Sequence, residues 1–420
     1  MPHAPGFTRN ASAELVCDGV SLAAVAAGAG TPLYVYSAEA LRERYRAIDA
    51  AFAGHPHAIH YALKANSTLA VARLLRGLGS AADANSVWEI EVARQAGFEP
   101  KDIVFTGVGK SPAELECAVA LGVKAINVES AGELARVEAI AARLARTARV
   151  AVRINPDIDA RSHPHISTGL KINKFGVARD EARALISSIA SRASLALVAV
   201  HVHVGSQVTS LDPLRGAAAF AAAISRELVD AGVALEYVDL GGGLGISYDG
   251  APVPALQDYV QALLQEVHAT LPAGLPIVLE PGRSIVGPAG VLLARVVDIK
   301  PRDAGSDFVV IDAGMTELMR PALYGAYHRI EPVIARAAAA RRYEIVGPVC
   351  ESSDVVGRDR ELPALEVGDL VAIRDAGAYG AAMASNYNRR PQPAEALVDD
   401  GSWRIVKRRQ TVDDMLRTES

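Results

Sequence analysis

Residues 197–243 contain a complete strand–helix–strand unit, with the sequence LVAVHVHVGSQVTSLDPLRGAAAFAAAISRELVDAGVALEYVDLGGG. The apolar runs at its two ends, 197–205 and 237–243, have the length and bounding glycines of buried strands. The Ala-rich stretch 214–230 between them has the length and composition of a helix. A strand, a helix and a second strand in this order predict a parallel pair, because parallel strands need a crossover connection.

The same alternation continues outward in both directions along the chain. Eight short apolar runs lie at residues 59–64, 80–85, 103–106, 125–129, 150–155, 197–205, 237–243 and 277–282. Helical stretches lie between them at 69–78, 87–96, 111–121, 132–144, 179–188, 214–230 and 256–270. Eight such repeats predict a (β/α)8 TIM barrel over residues 37–285, near the ~250 residues typical of that fold. An open, doubly wound parallel sheet is the alternative.

Residues 286–420 have a different pattern and predict a second, mostly antiparallel β domain. Short Val/Ile runs separated by Gly and Pro lie at 291–299, 308–312, 343–346 and 369–373, and helical periodicity is confined to 331–341. The N-terminal segment, residues 1–36, contains two short runs, 14–16 and 20–22, around a Cys-Asp-Gly turn. We expect this segment to contribute a strand to the β domain.

Composition excludes several classes of protein. The chain has 420 residues, of which 50% are hydrophobic and 22% charged, so it is globular rather than disordered. Its net charge of −5 argues against a nucleic-acid partner. Three widely spaced cysteines form no disulfide framework and suit a reducing compartment. With no signal peptide and no apolar run long enough for a membrane span, we expect a cytoplasmic protein without a membrane partner.

Polar side chains gather where the predicted barrel strands end. They are Lys64, Asp83, Asn85, Glu129, Arg153, Asn155, His201, His203, Ser206, the glycines 241–243, Glu280 and Arg283. Barrel enzymes carry their chemistry at the C-terminal ends of the strands. The pattern therefore predicts an active site at this end of the barrel.

Three of these features together point to a cofactor. Lys64 closes an apolar strand, where a desolvated amine is a good Schiff-base nucleophile, although a lysine in this position is also often a surface cation. The loops 241–243 and 281–283 follow strands seven and eight, the usual phosphate site of such barrels. Glu280 could be a general base, a metal ligand or an ion-pair partner. Beside a Schiff-base lysine and a phosphate cradle, it best fits the ring nitrogen of pyridoxal phosphate.

The two His-x-His pairs leave a choice open. His201 and His203 face the same side of a strand, as in metal-dependent barrel hydrolases, but His203 could instead stack on a planar cofactor. His163 and His165 lie in a Pro-containing stretch and are expected to be solvated. Spacing alone does not decide between a metal and an organic cofactor.

The motifs resemble those of the fold-type III, pyridoxal-phosphate-dependent amino-acid decarboxylases. The shared motifs are YALKAN at 61–66, HVGSQ at 203–207, GGG at 241–243 and EPGR at 280–283. Further matches are ISTGLK at 166–171, KFG at 174–176, EPGRSIV at 280–286, DAGM at 312–315, MRPALY at 319–324, YH at 327–328, GPVCE at 347–351, NYN at 386–388 and PAE at 393–395. The resemblance, over about residues 34–398, implies a barrel followed by an alanine-racemase-like C-terminal β domain. It also implies decarboxylation of meso-2,6-diaminopimelate to L-lysine and CO2, the last step of lysine biosynthesis.

The resemblance also implies roles for individual residues of the barrel. Lys64 would carry the cofactor, His203 would stack on its ring and Glu280 would pair with the ring nitrogen. The residues implied in cofactor binding are Lys64, Asp83, His203, Ser206, Gly242, Gly243, Glu280, Gly282, Arg283 and Tyr379. Those implied in substrate binding are Arg283, Arg320, Tyr324, Glu351 and Tyr379, where arginine suits a carboxylate because its planar fork binds both oxygens. No metal is implied.

Cys350 and Glu351 resemble a pair that enters the neighbouring subunit's site. The resemblance gives Cys350 the role of proton donor and Glu351 that of reading the distal ammonium of the substrate. A homodimer with shared active sites follows from this resemblance.

One departure from the family pattern and several alternative functions remain. After Asp83 the family usually shows Ser-Gly-Gly-Glu, whereas the matching stretch here is Asn85-Ser86-Val87-Trp88-Glu89, which keeps the glutamate but lacks the glycine pair. A decarboxylase of ornithine or arginine is an alternative. Arg320 argues against it, because an arginine would repel the distal ammonium of such a substrate. A non-enzymatic pyridoxal-phosphate carrier and a metal-dependent barrel hydrolase are the others.

Overall fold

The computed structural model of the protein describes residues 6–160, 168–169, 173–271, 274–303 and 305–419. The chain divides into two compact units. The barrel unit comprises Arg44–Ile246 and Pro252–Ser284, and the β unit comprises Met1–Glu43, Ser247–Ala251 and Ile285–Ser420. The chain thus begins in the β unit, builds the barrel unit and returns.

The barrel unit contains a closed barrel of eight parallel strands, which confirms the predicted fold. The strands are His57–Ala62, Ala81–Ala84, Ile103–Phe105, Ala125–Val128, Ala148–Arg153, Leu195–His201, Tyr237–Asp239 and Ile277–Leu279. Their order around the barrel follows the chain, and the last strand pairs with the first through Ile277–His57 and Leu279–Ile59. Each predicted run corresponds to one of these strands.

Several of the helices that follow the strands begin at serine caps. The helix bounds are Leu69–Gly77, Val87–Ala96, Pro112–Leu121, Ala131–Arg143, Arg179–Ile189, Leu211–Asp230 and Leu256–His268, and Ala38–Ala51 precedes the first barrel strand. The hydroxyls of Ser86, Ser111 and Ser130 each accept a hydrogen bond from the backbone N–H three residues later. Such caps satisfy N–H groups that the first turn of a helix leaves without partners. Short 3-10 turns at Leu63–Ala65 and Pro100–Asp102 and a helical turn at Arg283–Val286 complete this part of the chain.

The β unit is built on a nine-stranded sheet. Its main path runs Val355–Pro363, Ala340–Val346, Asp307–Ile311, Gly290–Lys300, Leu33–Ser37, Ala394–Asp399 and Ser402–Lys407. Leu370–Ile373 pairs with Gly290–Lys300 and also with Ile330–Pro332. Only Asp307–Ile311 with Ala340–Val346, and Leu33–Ser37 with Ala394–Asp399, are parallel among these pairs, so the sheet is mostly antiparallel, as predicted. The short helices are Arg320–Tyr324 and Val412–Leu416, and 3-10 turns lie at Ala381–Met383 and Tyr387–Arg389.

The N-terminal segment joins the large sheet differently from our expectation. The runs around the Cys-Asp-Gly turn form Leu15–Cys17 and Val20–Ser21, which pair with each other and, through Leu15–Cys17, with Phe7–Arg9 in a separate three-stranded sheet. The helix Leu22–Ala29 follows. The strand that enters the large sheet is Leu33–Ser37, whose five residues are all buried.

The helical reading of residues 331–341 is wrong. Ile330–Pro332 is a strand paired with Leu370–Ile373, and the next element is the strand Ala340–Val346. Pro332 lacks the N–H that a helix interior needs, but it is tolerated in a strand that has a single neighbour. Tertiary pairing therefore outweighs local periodicity in this stretch.

Each unit has its own apolar core. In the barrel, Val104, Ala151, Val198 and Val278 are buried together. In the β unit, Leu15, Leu22, Val35, Val291 and Ala396 belong to one buried cluster. In the part of the chain that the structure describes, no helix combines the length and apolarity that a membrane span requires.

Candidate active site

The predicted lysine lies at the mouth of the barrel, beside a buried carboxylate. Lys64 sits in the turn Leu63–Ala65, directly after the first barrel strand, and its Nζ lies 3.4 Å from Oδ2 of Asp83. Asp83 is fully buried, whereas about a third (34%) of the Lys64 side chain is exposed. Burial and the nearby Glu280 raise the pKa of Asp83, and Lys64 opposes that rise. Nδ2 of Asn85 donates to the same Asp83 oxygen at 3.2 Å.

Glu280 follows the eighth strand and lies in a buried group with His201 and Asp239. Nε2 of His201 lies 3.2 Å from Oε2 of Glu280. Burial alone would raise the pKa of Glu280, but the facing His201 and the Lys64 ammonium outweigh it and lower that pKa below its ordinary range. Burial and the proximity of Glu280 raise the pKa of Asp239 well above its ordinary value. Glu280 is therefore the ionised carboxylate and Asp239 the neutral one.

The same three side chains also have the geometry that a metal ion could use. One ligand atom from each of His201, Asp239 and Glu280 lies within 4.8 Å of the others, and all three residues are buried. A metal-dependent hydrolase would need such a group of ligands around His201 of the His-x-His motif. Geometry alone therefore leaves that alternative open.

His203 lies beyond the end of its strand, against the glycine loop. The backbone N–H of Gly242 donates to Nδ1 of His203 at 3.2 Å. Burial, together with the charge of Lys64, lowers the pKa of His203 well below its ordinary value. His203 is therefore a neutral imidazole with the proton on Nε2, a flat ring suited to stacking rather than to ion pairing.

The loops after strands seven and eight, the expected phosphate site, lie against each other. A Cβ on Gly242 would lie 2.2 Å from the carbonyl oxygen of Glu280, and one on Gly243 would lie 2.6 Å from that of Gly205. Gly243 also has φ +114°, in the region that favours glycine. In the second loop, the buried Arg283 donates from Nη2 to Oγ of Ser206 at 2.9 Å. Backbone N–H groups, a hydroxyl and a guanidinium together are suited to binding an anion.

The remaining predicted site residues belong to the β unit. They are Arg320, Tyr324, Cys350, Glu351 and Tyr379. Arg320 opens the helix Arg320–Tyr324 and is buried, its guanidinium lying 4.5 Å from the ring centre of Tyr248. Its Nη1 lies 2.7 Å from Nε2 of His328, whose Nδ1 lies 2.8 Å from the carbonyl oxygen of Arg374. Because a carbonyl accepts only, His328 is a neutral acceptor toward Arg320.

Cys350 and Glu351 are exposed and lie beside the turn Tyr387–Arg389. Oη of Tyr387 donates to Oε1 of Glu351 at 2.6 Å. Nδ2 of Asn388 lies 3.2 Å from Sγ of Cys350. Tyr379 has φ +56°, a conformation that few tyrosines adopt.

Sequence reasoning missed three residues of these clusters: Asp239, Tyr387 and Asn388. Asp239 could have been found as a lone carboxylate inside an apolar barrel strand, whereas Asn85 is already among the polar residues predicted at the strand ends. Tyr387 and Asn388 were quoted only as part of a motif, and their partners lie 36 and 38 positions away. His163, His165 and most of the motif at 166–171 lie outside the described residues.

Comparisons with known proteins decide between the cofactor and the metal. The family model "Pyridoxal-dependent decarboxylase, pyridoxal binding domain" matches residues 38–287. The chain belongs to the family of pyridoxal-dependent decarboxylases.

Within that family the chain is similar over nearly its full length to diaminopimelate decarboxylases. The protein of that name from Pseudomonas aeruginosa is 45% identical over 408 residues, 97% of this chain and 97% of its own. The crystal structure of the Helicobacter pylori diaminopimelate decarboxylase, complexed with L-lysine, has a TM-score of 0.90 and 42% identity over 94% of this chain and 98% of that one. The M. jannaschii enzyme, also with L-lysine, has a TM-score of 0.93 and 37% identity over 99% of this chain and 98% of its own. The predicted resemblance is confirmed.

The residues present fit pyridoxal phosphate, the cofactor of this family. Oε1 of Glu280 is buried with no hydrogen-bond donor among the described residues, and a protonated ring nitrogen would supply one. At Gly242 a Cβ would meet the backbone of Glu280, so the glycine allows the two loops of the expected phosphate site to lie close together. The Lys64 side chain, which would bind the cofactor, is only partly buried. The predicted cofactor is confirmed.

Proposed function

We propose that this protein is a carboxy-lyase that removes one carboxylate of meso-2,6-diaminopimelate as CO2 and releases L-lysine, the last step of lysine biosynthesis. The observation that carries the proposal is the similarity to diaminopimelate decarboxylases over nearly the whole chain, at 45% identity for the Pseudomonas aeruginosa protein. Two solved relatives at 42% and 37% identity are complexes with L-lysine, the product of this reaction.

Residues of the barrel unit would hold the cofactor. Lys64 would bind its aldehyde carbon, with Asp83 keeping the amine in place at 3.4 Å. The neutral His203 would stack on the ring, and the ionised Glu280 would hold its nitrogen protonated. When bound, pyridoxal phosphate supplies the sink for the electron pair that decarboxylation leaves on the α-carbon.

The loops would hold the phosphate and part of the substrate. Ser206, Gly242, Gly243 and Gly282 would surround the phosphate, and Arg283 would complete this site beside Ser206, to which it donates at 2.9 Å. Arginine is the side chain best matched to phosphate or carboxylate oxygens.

Residues of the β unit would bind and recognise the substrate. Arg320 and Tyr324, with Arg283, would bind the carboxylate that stays, and Tyr379 would add a hydroxyl. Cys350 would donate the proton that replaces the departing carboxylate, and Glu351 would bind the distal ammonium. In a homodimer that shares its sites, these two residues would act in the partner's barrel. We place this dimer in the cytoplasm, where the reducing conditions keep Cys350 a thiol.

The test is release of lysine and CO2 from meso-diaminopimelate with added pyridoxal phosphate, with ornithine and arginine in parallel. We expect lysine from the first substrate and no product from the other two. Lys64→Ala should lower the rate by a factor on the order of 10³ or more, because it removes the nucleophile. Lys101→Ala is the matched control, since Lys101 lies 73% exposed on the same unit. Activity on ornithine or arginine alone would overturn the substrate assignment.

A further inference from the structure

A turn of the β unit faces both Cys350 and Glu351. Residues 386–390 form this turn, and Asn388 and Arg389 adopt left-handed φ values of +54° and +53°. Nδ2 of Asn386 donates to the carbonyl oxygen of Arg390 at 2.8 Å, and Nη2 of Arg390 donates to that of Asp312 at 2.7 Å. These contacts fix the turn at its two ends, so its side chains project from a defined backbone.

Tyr387 restrains one oxygen of Glu351 and leaves the other available. The Oη–Oε1 distance of 2.6 Å is in the range of a charge-assisted hydrogen bond. The carboxylate that accepts this bond raises the pKa of the Tyr387 phenol. Oε2 of Glu351 takes part in no hydrogen bond with the described residues. It is thus available for a donor from outside, such as an ammonium.

Asn388 meets the thiol of Cys350 with its whole amide group. Nδ2 lies 3.2 Å and Oδ1 3.7 Å from Sγ, both within reach of a hydrogen bond to sulfur. The amide oxygen can accept from the S–H of a proton donor, and the amide N–H can donate to the thiolate that remains after the proton has left. Asn388 is therefore matched to both protonation states of Cys350.

We infer that Tyr387 and Asn388 are positioning residues of the decarboxylation: Tyr387 aims Glu351 at the distal ammonium, and Asn388 aims the Cys350 thiol at the carbon to be protonated. The inference rests on the proposed roles of Cys350 and Glu351. All four side chains are exposed in the single chain, where an unrestrained Glu would populate several rotamers. Holding a reacting group in one geometry contributes to catalysis. Because 387 and 388 are adjacent, as are 350 and 351, a single turn sets both groups.

A purely structural role predicts a different outcome. Hydrogen bonds between exposed side chains contribute little to stability, so their loss would leave both folding and kinetics nearly unchanged. Positioning predicts that kcat and KM change separately for the two residues, while the melting temperature does not change.

Tyr387→Phe removes only the hydroxyl. We expect KM for meso-diaminopimelate to rise about tenfold and kcat to stay within about threefold, since one hydrogen bond to a charged group is lost. Binding of 2-aminopimelate, which lacks the distal ammonium, should be unchanged when measured as a competitive inhibition constant. Tyr327→Phe is the control: Tyr327 is 44% exposed against 46% for Tyr387, and its ring face on Arg360 survives the substitution.

Asn388→Gly removes the amide without straining the backbone, since glycine accepts a left-handed φ. We expect kcat to fall about tenfold with KM little changed. Asn388→Asp keeps the shape but places a carboxylate beside the sulfur. Because the added charge disfavours the thiolate, it should shift the alkaline limb of the kcat–pH profile upward.

Two measurements on the holoenzyme separate this inference from the proposed function. The alkylation rate of Cys350 by iodoacetamide, followed on its peptide by mass spectrometry, should change in Asn388→Gly, with Cys117 as the internal reference. The Tyr387 phenol pKa, followed by NMR of ¹³C-labelled tyrosine, should fall in Glu351→Gln. If the wild type does not decarboxylate meso-diaminopimelate, the proposed function fails and these two readouts still decide whether the pairs exist. If the wild type is active but Tyr387→Phe and Asn388→Gly both keep kcat and KM within twofold, the positioning role is refuted.

Discussion

The partly buried side chain of Glu89 predicts how the stability of the protein depends on pH. It lies in the first turn of the helix Val87–Ala96, where its Oε2 accepts the N–H of Asn85 at 2.7 Å. Burial, assisted by Asp83, raises the pKa of Glu89 from 4.5 to about 7. The native state therefore binds the proton more tightly than the unfolded chain does. Stability from this group is complete below pH 4.5 and is lost as the pH rises through 7.

The magnitude follows from the difference between the two pKa values. A shift from 4.5 to about 7 corresponds to about 3.4 kcal/mol over the full window, of which about 2.5 kcal/mol falls between pH 5.0 and pH 8.5. Glu89→Gln keeps an oxygen acceptor for Asn85 and cannot ionise. We therefore expect the variant to become more stable relative to the wild type by about 2.5 kcal/mol as the pH is raised over that range.

The assay is urea unfolding of the wild type and Glu89→Gln at pH 5.0, 6.5 and 8.5, followed by circular dichroism at a fixed pyridoxal phosphate concentration. Glu91→Gln is the matched control on the same helix, because the Glu91 side chain is about half (48%) exposed. It should leave the pH slope of the wild type unchanged. A constant difference between Glu89→Gln and the wild type at all three pH values would refute the argument.

Two further substitutions test the packing around the site. Gly242→Ala should lower the free energy of unfolding by about 3 kcal/mol and weaken cofactor binding in absorbance titrations, because its Cβ would lie 2.2 Å from a backbone oxygen of Glu280. Gly77→Ala is the control: Gly77 ends a helix with open space around it, so this variant should gain about 0.5–1 kcal/mol of stability. Equal effects of the two substitutions would contradict the steric argument. Lys110→Met should cost about 3–5 kcal/mol in urea unfolding, because it leaves Glu133 buried without the ammonium that lies 2.8 Å away; a loss below 1 kcal/mol would show that the pair is solvated.

The barrel could be predicted from the sequence because its signal is local and repeated. Each strand is a short apolar run, and several helices begin at a serine cap. At Ser111 the side chain accepts the backbone N–H of Glu114, and the Glu114 carboxylate accepts that of Ser111. The barrel-mouth residues could be predicted for the same reason, since a lysine or glutamate at the end of an apolar run is visible in the sequence. Lys64 and Glu280 are such cases.

Features set by distant partners could not be predicted. Residues 331–341 have a helical period, but Ile330–Pro332 pairs with a strand 40 positions later. The pKa of Asp239 is raised by burial in the folded barrel and by the nearby Glu280. Tyr387 meets Glu351 only when two loops of the β unit come together. In each case the deciding contact joins segments that are far apart in the chain, and no local sequence pattern indicates that they meet.

The central position of Leu33–Ser37 has a consequence for synthesis of the chain. Its neighbours in the sheet are Gly290–Lys300 on one side and Ala394–Asp399 on the other, so the strand leaves the ribosome about 250 residues before its first partner exists. At ~5–20 residues per second, this apolar segment waits on the order of 10–50 s while the barrel is being translated. Nascent chains stalled near residue 280 should therefore be open to protease at residues 33–37, whereas the released protein should be protected there. The strand Leu33–Ser37 is therefore synthesised early but completes its pairing among the last.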